Sequence, residues 1–413
     1  MKKTFSLGTV IAIVLISVIL TFQITYVAVA GIYADHYSTN GTSNAETDSD
    51  FMTNVIERLS ALDTKFRNLY IGELDDEVLI DYILKGYVAG TGDKFGAYYT
   101  DNEFDSFMSD LSGETEGIGV SVIYNTDYQC IEIINVMSDS PALEAGLQAG
   151  DLIVYIGEEK ESVASLGYNA ALAKLRGAAG TEAVFSVIRN EDTSNILEFS
   201  ITRAKVEEIN VFSHVCELDS TVGIIKLTAF DYKTPDQFKG AMESLASEGC
   251  DKFIIDVRYN PGGELQSVVS ILDYLLPEGP IIRIFDADDN LVKQYSSDAE
   301  CVDYPIAVVT NSSTASAAEL FTSALRDYDK AIVVGNTTYG KGCMQTTVEL
   351  PDGGALSVTY RMYKPPFSEG YHEIGITPDI VLDLDEALAG KNVYKITDEE
   401  DNQLRAALDA LTK

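Results

Sequence analysis

Two stretches of this 413-residue chain hold side chains that could act on one another. The first is "TNSSTASAAELF", in which Ser312, Ser313, Thr314 and Ser316 precede an apolar helical stripe at Leu320, Phe321 and Leu325. The second is "AIVVGNTTYGKGC", an apolar run that leads into Gly335, Gly340 and Lys341. A hydroxyl at the first turn of a helix has backbone amides beside it that can hold an oxyanion. A lysine amine can take the proton of such a hydroxyl, provided the amine is uncharged. An exposed lysine titrates near ~10.4, and burial among apolar and amide groups lowers that value. Gly340, Gly342, Cys343 and Met344 supply uncharged neighbours, and Gln345 can hydrogen bond to the amine. Each piece also has a plain reading: hydroxyls that cap a helix, and a solvated lysine in a glycine turn.

Other chemistries fit less well. Gly335 to Lys341 has the spacing of a phosphate-binding loop, but Gly342 stands where that loop needs Ser or Thr. The three histidines, His36, His214 and His372, accompany no Gly-x-Ser-x-Gly turn, so a histidine triad has no support. "DVRYNPGGEL" contributes Asn260-Pro261-Gly262-Gly263 between a strand and a helix, and paired glycines let a backbone approach a ligand and present its amides.

Lys and Arg number 29 against 65 Asp and Glu, a net charge of −36, which repels phosphate backbones and argues against nucleic acid as a partner. The five cysteines are scattered without metal-ligand spacing, so a structural zinc site has little support and no disulfide can be assigned. Lys2 and Lys3 precede a mostly apolar stretch from Leu7 to Ala30. That exceeds a signal-peptide core and predicts a single-pass cell-membrane anchor, with the body outside the cytoplasm. The alternative is cleavage near Ala30 and secretion.

The elements that must position these residues follow in order. Residues 1–31 are the anchor and 32–50 a polar, acidic tether. Residues 51–112 form a helical cap, with packing stripes at Phe51, Val55, Ile56, Leu59 and Leu62 and at Val78, Leu79, Tyr82 and Ile83. Residues 113–205 read as a compact β-rich module with a short helix at Asn169–Leu175. Residues 206–389 alternate strand and helix, which predicts an α/β core on a largely parallel sheet with functional loops at strand C-terminal ends. Residues 390–413 hold a terminal helix, opened by a capping box at Thr397 and Glu400, with a stripe at Leu404, Leu408 and Leu411.

Together these stretches resemble the carboxy-terminal processing, or tail-specific, proteases. "VVTNSSTASAAELFTSALRDYDKAIVVGNTTYGKGCMQ" resembles the family's nucleophile and lysine segments, and "DVRYNPGG" its oxyanion loop. "EIGITPDI" and "VGIIKLTAF" are similar to segments of its protease core, and "GIGVSV" and "SPALEAGLQAGDLIVYIG" to its PDZ module. The resemblance implies a ClpP/crotonase-like core with an inserted PDZ domain. It implies Ser316 as nucleophile, Lys341 as general base and Gln345 as the residue that orients the lysine, with no metal or cofactor required. Ala317 and the Gly262–Gly263 turn, Gly262 preferred, would form the oxyanion hole. Gly117, Ile118, Gly119 and Val120 would hold a peptide carboxylate, and Arg176 would sense it. Substrates would be proteins or peptides with accessible C-termini, and self-association stays open. The rival is a catalytically silent PDZ-type adaptor of the same fold. Cys343 stands where the family often has Ser, which predicts sensitivity to thiol reagents.

Overall fold

The computed structural model describes residues 45–412 except 127, 138, 191, 193, 352, 389–390 and 392–394. The expected anchor and most of the tether lie outside them. Among the described residues no helix is long and apolar enough to cross a membrane. Two compact units divide at Asp76/Glu77, inside the stretch read as one helical cap. The first contains α1 (Ala45–Leu69). Its stripe does not pack as expected: Phe51, Ile56 and Leu62 are all exposed.

The second unit opens with α2 (Asp76–Gly90), β1 (Ala97–Tyr99) and α3 (Asp101–Ser112), the last closed by Gly113 at φ 69°. β2 (Glu114–Gly117) then leads into the β-rich module, built from β3 (Val120–Asn125), β4 (Cys130–Val136), β5 (Leu152–Ile156), α4 (Tyr168–Leu175), β6 (Glu182–Ile188) and β7 (Ile196–Thr202). Its sheet runs β3-β4-β5-β6-β7, antiparallel throughout, which leaves β3 at an edge. β8 (Ala204–Glu207) returns to pair with β2.

The core follows with β9 (Val211–Val215), β10 (Val222–Leu227), α5 (Thr234–Ser247), β11 (Lys252–Asp256) and α6 (Leu265–Leu275). Next come β12 (Gly279–Phe285), β13 (Leu291–Ser297), β14 (Ile306–Thr310), α7 (Ala317–Asp327) and β15 (Ala331–Gly335). β16 (Cys343–Glu349), β17 (Ala355–Lys364), β18 (Ile380–Val381) and α8 (Asn402–Leu411) complete it. The main sheet has the order β9-β10-β11-β14-β15-β18, and every pair but β9–β10 is parallel. Apolar residues alternate across it because successive side chains of a strand point to opposite faces. Ile225, Phe253, Ile255 and Val308 pack against α5, α6 and α7, while Ile224, Ile254, Ala307 and Val309 meet Leu404 and Ala407 of α8. β12, β13, β16 and β17 form a second, antiparallel sheet with β1 that the alternation of strand and helix did not predict.

The helix α8 is fixed by charge as well as by its apolar face. Arg258, 3 % exposed, donates to Asp256 Oδ1 (2.9 Å) and Oδ2 (2.8 Å), to Asp401 Oδ2 (2.7 Å) and to Gln403 Oε1 (3.0 Å). Burial pushes the Asp256 carboxyl up, but Arg258 and Lys226 outweigh it and hold the value at about 2. Asp401 also accepts from the Gln403 and Leu404 amides, so it caps α8. The capping box at Thr397 and Glu400 does form, but it closes a turn upstream, and the helix starts at Asn402.

Removing one member of a buried ion network leaves the other charge uncompensated. Asp401→Ala is therefore expected to lose about 3–5 kcal/mol of stability in urea unfolding. A loss below about 1 kcal/mol, the range of exposed pairs, would contradict this arrangement.

Candidate active site

Three loops meet where β11, β14 and β15 end. Ala315 N–H donates to Asn260 O (2.9 Å), Thr314 Oγ1–H to Val257 O (2.8 Å) and Tyr339 N–H to Thr314 O (2.9 Å). Residues 257–263, 311–316 and 336–342 are thus laced together largely through their backbones. Ser316 heads α7 at φ 56°, a left-handed value that costs a serine roughly 1–3 kcal/mol.

What holds that conformation is Glu319, one turn along α7 and fully buried. Its Oε2 accepts from Ser316 N–H (2.9 Å) and Lys341 N–H (2.7 Å), and its Oε1 from Gly340 N–H (2.6 Å) and Thr338 Oγ1–H (2.6 Å). One carboxylate thereby joins the serine turn to the lysine loop. The same bonds dispose of the phosphate-loop reading, because the amides that would cradle a phosphate point at Glu319. Gly342 N–H is also engaged, on His372 Nδ1 at 3.2 Å, and a strand rather than a helix follows.

Tyr363, at 5 % exposure, spans the two candidate residues. Its hydroxyl donates to Lys341 O at 2.7 Å and lies 3.5 Å from Ser316 Oγ, the edge of hydrogen-bond range. Burial pushes the phenol far up, so it stays a neutral donor. Lys341 Nζ lies 5.0 Å from the centre of the Phe95 ring and makes no hydrogen bond or ion pair among the described residues. Burial lowers the pKa of this amine, against the opposing pull of Cys343, Asp93 and Glu319.

Gly262 lies at φ 103°, and a Cβ there would come within 2.8 Å of both Ala317 N and Ser316 Cβ. Only glycine lets this turn approach the head of α7 so closely. The preference for its amide as oxyanion donor needs correction, because that N–H already donates to Asn260 Oδ1 at 2.8 Å. The amides of Gly263 and Ala317 have no acceptor among the described residues and are the better pair.

Gln345 also differs from expectation. Its Nε2 donates to Thr359 Oγ1 (3.2 Å) and Cys343 Sγ (3.4 Å), not to Lys341. A bulge between Met344 and Gln345 re-aims the strand there. Thr359 Oγ1 donates in turn to Asp93 Oδ1 at 2.9 Å. Cys343 is 1 % exposed and burial pushes its thiol up, so slow alkylation replaces the expected sensitivity to thiol reagents.

The residues expected to bind a peptide also come together. Gly117, Ile118, Gly119, Val120 and Arg176 line one cavity of about 240 Å³ between the open edge of β3 and helix α4. Ile118 and Gly119 amides have no acceptor among the described residues, as a site for a terminal carboxylate requires.

Glu319, Tyr363, Asp93 and Phe95 were not singled out from the sequence. Glu319 carried a signal, since Ser316 and Glu319 have the Ser-x-x-Glu spacing of a capping box. The other three reach the site only through long-range pairing.

Residues 221–382 match the model of peptidase family S41, and 117–197 match a PDZ domain. A carboxyl-terminal-processing protease of Synechocystis sp. is 32% identical over 315 residues, covering 75% of this chain and 71% of the relative. The chain belongs to the carboxyl-terminal processing proteases of peptidase family S41. It is accordingly a serine-type peptidase with a PDZ domain. The carboxy-terminal processing protease CtpB of Bacillus subtilis is 31% identical over 83% of this chain and 70% of its own length. The fold is shared with a Bacteroides fragilis structure assigned to the S41 proteases, at TM-score 0.53 and 18% identity, covering 84% of this chain and 94% of that one.

A base must be unprotonated to act, so kcat/KM is expected to rise with pH along an ionisation below the ordinary lysine value. Asp93→Asn removes a negative charge that favours the ammonium and is expected to shift that limb to lower pH; an unmoved limb would contradict it. Glu319→Gln turns an amide donor toward backbone donors. It is expected to lower kcat by about 10–100-fold, the equivalent of one or two charge-assisted hydrogen bonds.

Proposed function

We propose that this peptidase is an endopeptidase that captures the C-terminal tail of a flexible or partly unfolded protein in its PDZ groove. It then hydrolyses a peptide bond with Ser316 as nucleophile and Lys341 as general base. The observation that carries the reading is the Glu319 bridge, which ties the Ser316 turn to the loop of a lysine whose amine burial disfavours as ammonium.

In this reaction Ser316 Oγ attacks the carbonyl carbon and its proton passes to Lys341 Nζ. The oxyanion forms beside the amides of Ala317 and Gly263, and the lysine's proton leaves with the amine product. Water then attacks the acyl-enzyme, with Lys341 as base again, and regenerates the serine. Nζ must first turn from the Phe95 ring toward Ser316, a closure that substrate in the cleft would favour by excluding water. Gln345 would act through Thr359 and Asp93 on the lysine's surroundings rather than by touching it. Arg176 is the proposed reader of the bound tail, supported by its place in the groove. Lys2, Lys3 and the apolar stretch Leu7–Ala30 support a membrane anchor with the body outside the cytoplasm.

Paired peptides test this reading. A peptide with a free apolar C-terminus is expected to be cut far faster than its amidated twin, and Ser316→Ala or Lys341→Ala to abolish cutting. Equal cleavage of the twins would remove tail recognition, and active variants would remove the dyad.

A further inference from the structure

The tail groove holds a charge that the proposed reaction does not use. Glu208, in the link between β8 and β9, lines the same cavity as Gly119, Val120, Leu172 and Arg176. Its backbone is anchored, with N–H on Gly113 O at 2.8 Å and O accepting from Gln237 Nε2 at 2.6 Å. Its carboxylate, by contrast, has no hydrogen bond or ion pair among the described residues.

The surroundings do not supply a partner. Asp231 is fully engaged by Asn210 Nδ2 (2.7 Å), Lys233 N–H, Thr234 N–H and Thr234 Oγ1–H (each 2.8 Å). Glu116, also in the groove, accepts from Ala179 N–H at 3.0 Å. Arg176 acts on Glu208 against burial, Asp110 and Asp231, which together push its carboxyl up. Yet the Arg176 guanidinium makes no ion pair among the described residues. Glu208 is half-buried, and a carboxylate that meets no partner on the wall of a cleft is open to a donor carried by a ligand.

The cavity therefore offers two complementary ends. Free amides at Ile118 and Gly119, with the Arg176 guanidinium, suit an anion. Glu208 suits a cation or strong donor beside it. At about 240 Å³ the space is below the roughly 300–1,000 Å³ usual for ligand pockets, so it takes the end of a chain rather than a folded surface.

We propose that Glu208 is a specificity residue that selects tails carrying a lysine or arginine side chain close to a free C-terminal carboxylate. This rests on the tail-binding reading above and narrows its substrate class. The contact is a charge-assisted hydrogen bond in a partly solvated groove, for which a five- to tenfold preference is about what is expected.

The test is fluorescence anisotropy on the full chain in a Ser316→Ala background. Three peptides differ only at the tail: lysine near a free terminus, norleucine at the same position, and the amidated lysine form. The lysine peptide is expected to bind about five- to tenfold tighter than the norleucine peptide. Glu208→Gln is expected to abolish that difference. Equal binding of lysine and norleucine, with the amidated form still weaker, overturns the Glu208 assignment and leaves tail capture standing. Equal binding of free and amidated forms overturns tail capture itself. A lysine preference that survives Glu208→Gln assigns the effect to the general acidic surface and overturns the proposal.

Discussion

The chemistry proposed for this protein depends on a carboxylate that touches no substrate. Glu319 accepts from donors on both sides of the site, two loops that arrive from separate strands of the sheet. Four hydrogen bonds to one buried group hold a serine in a left-handed conformation and fix the backbone from which the lysine projects. A neutral side chain could not satisfy four donors with two acceptor lobes as well, which is why a charge is kept out of water there. The left-handed turn at Ser316 and the position of the Lys341 backbone both depend on this one anchoring point.

Around it the fold works by close approach. The turn 260–263 abuts the head of α7 because Gly262 has no Cβ, and the same turn is gripped from the other side by Phe230 N–H on Gly262 O at 2.9 Å. Phe230 follows β10, which pairs with β9, and β9 follows the segment that walls the tail groove. The chain itself and backbone hydrogen bonds, among them Thr228 N–H on Asn210 O at 3.0 Å, therefore connect the groove wall to the turn beside Ser316.

The residue types and spacing that point to chemistry were legible in the sequence, because Ser316 and Lys341 each follow an apolar run that had to be a strand. Local elements were legible for the same reason: α4 starts at Tyr168 where the sequence pointed to Asn169. Pairing between distant segments was not. The antiparallel sheet that brings Tyr363 and Thr359 to the site is built by β12 and β17, which lie about 80 residues apart in the chain and carry no shared pattern. The direction of an amide is equally invisible to a motif. "NPGG" names two glycines, and only the Asn260 side chain decides which of their N–H groups is left open.

The Arg258 network has a temporal side. Asp401, which joins Asp256 in pairing this arginine just before the turn 260–263, lies 143 positions further along the chain. At a synthesis rate of roughly 5–20 residues per second, on the order of ten seconds pass between the making of the turn and the making of its counter-charge. Through that interval the arginine has no Asp401 to meet it, and the turn lacks the helix that backs the sheet beneath it.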